Sequence, residues 1–329
     1  LGGGNFSSSM ANISFFYPKA KKGTATGLNA GIGNLGVSLA QFVVPLVISS
    51  AMVGSFTGEG LHYVEKGVEK TLWLQNAGFV WVPFIVISAI LAWFGMNDIA
   101  DAKASFKDQA IIFRRKHNWL MCWLYVGTFG SFIGFSAGLA LLTKSQFPDV
   151  NPTQYAFLGP LVGALTRPVG GWISDRLKAG ATVTLYTFLL MVLGVVGVLF
   201  TLPSEGHAGN FPAFLGMFIL LFALSGIGNG STFRMIPVIF LTARTQEAEK
   251  TPEAQRQAVV QGNKEASAVL GFSGAVGAYG GFFIPKSFGT SLEATGSVDM
   301  ALYAFIAFYL SCMVVTWWFY ARKGARTPC

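Results

Sequence analysis

Apolar positions dominate this chain in long unbroken runs, and polar positions gather in the gaps between them. Runs long enough to cross a bilayer cover roughly residues 24–53, 75–97, 118–143, 153–174, 182–202, 211–242, 266–290 and 299–320. About 20 apolar residues suffice for one helical crossing. A further run, residues 1–17, is too short: at about 1.5 Å per residue it spans roughly 25 of the ~30 Å required. The expectation is that it starts in mid-membrane and that an N-terminal part of the protein is missing from this sequence. The pattern predicts an all-α polytopic membrane protein.

Composition agrees. Hydrophobic residues make up 52% of the 329 and charged residues only 12%, against about a quarter in soluble domains. The 40 glycines suit membrane helices, where small residues let backbones pack closely. In such a chain the net charge of +8 reads as topology, with the bilayer as the partner, and gives no reason to expect nucleic-acid binding. The basic residues fall seventeen on one alternating set of connections and four on the other. By the positive-inside rule this places the C-terminus and the 98–117 and 243–265 connections in the cytoplasm. Cys122, Cys312 and Cys329 match no metal or redox spacing, and all three histidines fall in hydrophilic connections. No metal site or cofactor is expected.

Two echoes suggest an internal repeat. Gly4-Asn5-Phe-Ser7-Ser8 returns as Gly228-Asn229-Gly-Ser231-Thr232, and the glycine-rich stretch at 27–36 returns from Gly271 to Gly281. Counting runs, each echo lies six helices from its source. Two similar six-helix halves are the architecture of major facilitator transporters, with substrate bound between them near mid-membrane. On that count the chain runs from a partial helix 4 to helix 12. Residues 1–97 then end the first bundle, 98–117 form a cytoplasmic linker, and 118–329 form the second bundle.

The stretch GLNAGIGNLG at 27–36 contains Gly31-x-Gly33-x-x-Gly36, spelled like a dinucleotide-binding fingerprint. That fingerprint needs a preceding strand and an acidic residue about 20 positions on. Here it lies inside an apolar run, and the nearest downstream acid is Glu59. A membrane oxidoreductase would also need haem, iron–sulfur or flavin ligands within the spans. Gly23, Gly27 and Gly31 instead form a small-residue stripe at i, i+4. It serves either close helix packing or a substrate path that Asn29 and Asn34 supply with amides.

Two basic residues, Arg167 and Arg234, sit inside apolar runs, whereas the acids all fall in or at the edges of connections. Arg167 stands in FLGPLVGALTRPVGG (157–171). A charge there costs at least about 2.5–3.5 kcal/mol on insertion scales, so it is expected to face a cavity and have a partner. An anionic substrate is the simplest partner, because guanidinium is a permanent charge with a planar fork of donors. A planar oxyanion presents oxygens spaced for that fork. The alternatives are that Arg167 caps carbonyls freed by Pro168 or pairs with an acid elsewhere. Arg234 either lines an exit or packs near the middle of its helix with a partner outside this chain. Tyr125 and Phe129, four apart, share a helical face.

GGGNFSSSMANISFFYP (2–18) followed by GLNAGIGNLGVS (27–38) resembles the first signature of the nitrate/nitrite porters, and GFSGAVGAYGGFFIP (271–285) resembles the second. GWISDRL (171–177) resembles the major facilitator loop motif. The resemblance runs along essentially the whole chain. It implies a bacterial inner-membrane carrier of nitrate and nitrite, functional as a monomer and free of cofactors. It further implies that Arg167 binds the anion with a second arginine from helix 2, absent from this sequence. Tyr125 and Phe129 match aromatics that sandwich the anion; Gly33 and Gly271 match glycines beside it, with Asn29, Ser273 and Gly274 as further candidates. The spans show neither a titratable acid nor a histidine for a proton pathway, which favours exchange over proton-driven uptake.

Overall fold

A computed structural model describes residues 9, 13, 16–18, 21–51, 58–65, 68–96, 109–204 and 206–329. The Gly4 to Ser8 echo, most of the 1–17 run, residue 97 and residues 98–108 of the linker lie outside the described residues. Each of the eight long apolar runs carries helix. In chain order these are α1 (Lys22–Ile48), a β1–β2 hairpin (Leu61–Glu65, Val68–Leu72), α2 (Asn76–Phe79) and α3 (Val82–Gly95). There follow α4 (Lys116–Tyr125), a π-helical turn (Val126–Gly130), α5 (Ser131–Gln146), α6 (Leu158–Leu177) and α7 (Gly180–Thr201). The order closes with α8 (Phe211–Glu247), α9 (Pro252–Ala278), α10 (Gly280–Thr295), α11 (Asp299–Thr316) and a second π-helical turn (Trp317–Ala321). Among the described residues, seven helical stretches are long and apolar enough to cross a membrane. The exception, α6, carries Arg167, Asp175 and Arg176 within its 20 residues.

Helix ends follow capping chemistry and correct several boundaries. The connection expected at 243–265 shrinks to 248–251. Thr251 accepts from the Ala254 N–H at 3.3 Å, Pro252 takes the first helical position, and Glu253 sits in the first turn, so α9 starts there. Asn210 caps α8 in the same way, accepting from Ala213 N–H at 3.0 Å. Polar sequence therefore does not mean loop here, because α8 and α9 extend as solvated helix beyond the apolar zone. His117 likewise belongs to the first turn of α4, where its Nδ1 lies 3.0 Å from the Tyr320 hydroxyl. The hairpin at 61–72 is a departure from an all-helical chain; it pairs antiparallel, Leu61 with Leu72 and Tyr63 with Lys70.

The core is built from phenylalanine. Phe135 meets Phe218, Phe222 and Phe305 edge-on at 5.5, 6.2 and 6.2 Å, tying α5, α8 and α11 together. The outer surface carries many large apolar side chains, among them Leu193, Trp93 and Phe200, as expected where hydrocarbon replaces water as solvent. The molecule is a multi-pass membrane protein.

Helix α1 lies along α6, and glycine makes the approach possible. A Cβ on Gly31 would lie 2.8 Å from the Ala164 carbonyl and 2.9 Å from Pro168 Cδ; one on Gly27 would lie 3.0 Å from the Arg167 carbonyl. Pro168 has no N–H for the Ala164 carbonyl, so Gly31 sits against a carbonyl its own helix cannot satisfy. Of the two readings of this stripe, packing is the one that Gly27 and Gly31 serve. Ser38 and Gln41 extend the contact through hydrogen bonds of 2.8 Å each, to the carbonyls of Phe157 and Ser136.

Candidate functional site

Helices α4, α6 and α8 meet around one buried guanidinium. Arg167 is 1% exposed. Its Nη2 donates to the Tyr125 hydroxyl at 2.7 Å and also to Asn229 Oδ1. The guanidinium carbon stands 5.2 Å from the centre of the Phe129 ring and 5.4 Å from that of Phe233, within cation–π range. Tyr125 is itself sandwiched, stacking at 5.2 Å on Phe129 and 4.7 Å on Phe233. Two of the hydrogen bonds made by this buried charge thus go to neutral oxygens, and aromatic faces flank it.

Local backbone features hold these groups. Tyr125 ends α4, and Phe129 lies in the π-helical turn that joins it to α5; such turns recur at functional sites. The glycine face of α9 admits the two rings, since a Cβ on Gly277 would lie 2.9 Å from Tyr125 Cδ1 and 3.0 Å from Phe129 Cδ1. On the other side, α8 and α6 touch backbone to backbone: a Cβ on Gly230 would meet Gly171 N at 2.6 Å and the Arg167 carbonyl still closer.

The remaining sequence candidates spread out. Ser273 and Gly274 are buried on α9, one turn before Gly277, and the Ser273 hydroxyl donates to the Leu270 carbonyl at 3.3 Å. Gly271 is half-buried on the same helix. Gly33 is exposed, with nothing within 4 Å of the position its Cβ would take. It lies about 200° around α1 from Gly31, away from α6. Asn29 donates to Ser9 Oγ at 3.1 Å and lines a cavity of about 800 Å³ with Lys21, Thr24, Trp172, Asp175 and Arg176, rather than the Arg167 cluster. Glycines 31, 33 and 36 lie in one uninterrupted helix, which removes the dinucleotide reading.

One expectation about charge is corrected, and one buried carboxylate is added. Arg234 has its partner within the chain: Nε lies 3.4 Å from Asp175 Oδ1. The other carboxylate oxygen of Asp175 accepts from the Thr24 N–H at 2.8 Å and hydroxyl at 3.0 Å, placing an anion at the first turn of α1. The helices are also not free of buried carboxylate. Glu265 is 6% exposed and bridges Arg115, at 3.3 Å, and Arg244. Both acids lie in helix turns that apolar-run counting assigned to connections. Among the described residues, no three His, Cys, Asp or Glu side chains group so as to hold a metal ion.

Sequence reasoning missed Asn229 and Phe233 as members of the cluster. They are one helical turn apart on α8. The available signal is the GNGST echo that contains Asn229, which by itself points only to a repeat.

Comparison with known proteins places this geometry in context. No family model matches the chain. The nitrate/nitrite transporter NarU of Salmonella typhimurium is 49% identical over 324 residues, covering 98% of this chain and 69% of that protein. NarU of Escherichia coli is 49% identical over 321 residues, covering 98% and 68%. The probable nitrate/nitrite antiporter NarK2 of Thermus thermophilus is 42% identical over 337 residues, covering 100% and 70%. Among solved structures, the E. coli fucose:proton symporter FucP superposes with a TM-score of 0.59 at 13% identity, covering 94% of this chain and 72% of that one. The architecture is thus the major facilitator fold, built for carriage rather than catalysis, and by its sequence the chain belongs to the nitrate/nitrite transporter family.

Proposed function

We propose that this protein carries nitrate and nitrite across the bacterial inner membrane by alternating access, exchanging one for the other, with the C-terminus in the cytoplasm. In this reading residues 1–97 end the first bundle, 98–117 link the halves, and 118–329 form the second bundle. One observation carries the proposal: a guanidinium 1% exposed, flanked by Phe129 and Phe233 and bonded to the neutral oxygens of Tyr125 and Asn229. Such a charge in low dielectric attracts a small anion strongly. The flat rings suit a planar one, and the guanidinium fork matches its oxygens. The names of the relatives, nitrate/nitrite transporter and antiporter, support the same substrates.

Exchange follows from the same charge. An empty cationic site resists closing away from water, and a bound anion relieves that cost, so the loaded carrier reorients more readily than the empty one. The buried carboxylates Asp175 and Glu265 are each engaged by arginine, which argues against either as a proton carrier. Liposomes holding the protein and loaded with nitrate should take up labelled nitrite much faster than empty ones, without a proton gradient. Equal uptake by empty liposomes, stopped by a proton ionophore, would replace exchange with proton-driven uptake. No uptake of either anion, with chloride and sulfate as comparisons, would reject the substrate reading itself.

A further inference from the structure

We propose that Asn229 is a positioning residue that fixes the Arg167 guanidinium without itself adding a counter-charge. This rests on the anion reading of Arg167. Asn229 is 1% exposed, and its Oδ1 accepts from Nη2, the nitrogen that also donates to Tyr125 at 2.7 Å. Two acceptors on one nitrogen, reached from α8 and from α4, fix the plane of the fork from one edge.

The local sequence is arranged for that contact. Asn229 lies between Gly228 and Gly230. A Cβ on Gly228 would lie 2.7 Å from Thr128 Cγ2 and 3.0 Å from Thr187 Cγ2, and the Gly230 position abuts Arg167 and Gly171 as described above. Glycine on both sides lets α8 press against α6 and the α4–α5 turn at once. The short amide therefore reaches a side chain 62 residues away.

Chemistry explains why an amide is needed. A carboxylate at this position has the same shape and would accept the same bond more strongly, but it would also neutralise the guanidinium. An opposite charge in contact changes a neighbour's charged-state equilibrium by about one to three pKa units, or roughly ten- to a thousandfold. An incoming anion would have to displace that attraction. The amide supplies the bond without the counter-charge.

The test uses the full chain in liposomes and in detergent, with nitrate as the probe. Asn229→Asp keeps the shape and adds charge; Asn229→Ser stays neutral and loses shape. The nitrate KM of Asn229→Asp should rise at least about tenfold, with a melting temperature equal to or above that of the unaltered protein. Asn229→Ser should melt lower yet keep a KM closer to the unaltered value. A merely structural asparagine gives the reverse order. Normal nitrate KM in Asn229→Asp overturns the inference, as does an Asn229→Asp protein that fails to fold while Asn229→Ser folds. Arg167→Lys separates the two levels: if it abolishes uptake while Asn229→Asp transports normally, the anion reading stands and only the role of Asn229 falls. If the unaltered protein takes up neither nitrate nor nitrite, both fall together.

Discussion

Replacing Gly230 with Ala perturbs the site without altering any side chain proposed to meet the anion. The new Cβ would lie 2.6 Å from Gly171 N and closer to the Arg167 carbonyl, where ordinary contact begins at 3.4 Å. Both neighbours are backbone, so no rotamer change relieves the overlap. The helices must separate by about 0.8 Å to restore contact with Gly171 N alone. Overpacking of this kind costs about 1–3 kcal/mol. The same separation draws Asn229 on α8 away from the Arg167 guanidinium on α6, and a bond lengthened by that much reaches the ~3.2 Å limit of a good N–H···O bond.

Gly230→Ala should therefore lower both the melting temperature in detergent and the nitrate uptake of liposomes. Misplacing a reacting group by about 1 Å can reduce rate about a hundredfold, so uptake should fall further than the stability loss alone explains. Uptake normalised to folded, reconstituted protein separates the two effects. A Gly230→Ala protein that melts and transports like the unaltered one would show that α6 and α8 are not in the contact described, and the argument for the Arg167 cluster would fail with it.

Arg167→Lys keeps the charge but loses the planar fork, so uptake of nitrate should be almost abolished at normal expression; near-normal transport would reject the role assigned to the guanidinium. Gly33→Ala and Gly271→Ala distinguish a substrate path from packing. With nothing within 4 Å of the Gly33 Cβ position, the Gly33 variant should melt unchanged, and loss of uptake in it would place the anion beside α1. Unchanged uptake in both variants would remove these glycines from the site.

Much of the fold was legible because membrane crossing writes itself locally: each long apolar run became helix. The errors came where polarity was equated with loop. Residues 252–265 are polar, yet Thr251, Pro252 and Glu253 form a helix start as strong as any in the chain. The residues that follow continue α9 into a polar environment, which a hydropathy window cannot see. The hairpin at 61–72 is hidden for the same reason: it lies in a connection between apolar runs, where hydropathy carries no strand signal.

The site divides by the kind of signal each residue carries. Arg167 stands out because a charge in an apolar run costs free energy that something must offset. Tyr125 and Phe129 share a face by spacing alone. Asn229 and Phe233 carry no such mark: an amide among small residues is cheap to bury once bonded, and Phe233 is one phenylalanine among 30. What selects them is the contact of α6 with α8, and that contact is set by glycine, a residue that announces itself only by what it lacks. Gly230 is essential to the approach and Gly33 faces open space, yet in sequence both are glycines within apolar helices. The difference lies in the facing backbone, 59 to 63 residues away at Gly171 and Arg167, so the decisive information at this site is long-range. The same holds for Arg234, whose partner Asp175 is 59 positions distant in a turn that hydropathy assigned to a connection. Arg167 and Arg234 are both engaged across helices, and sequence pattern names one member of each pair more readily than the other.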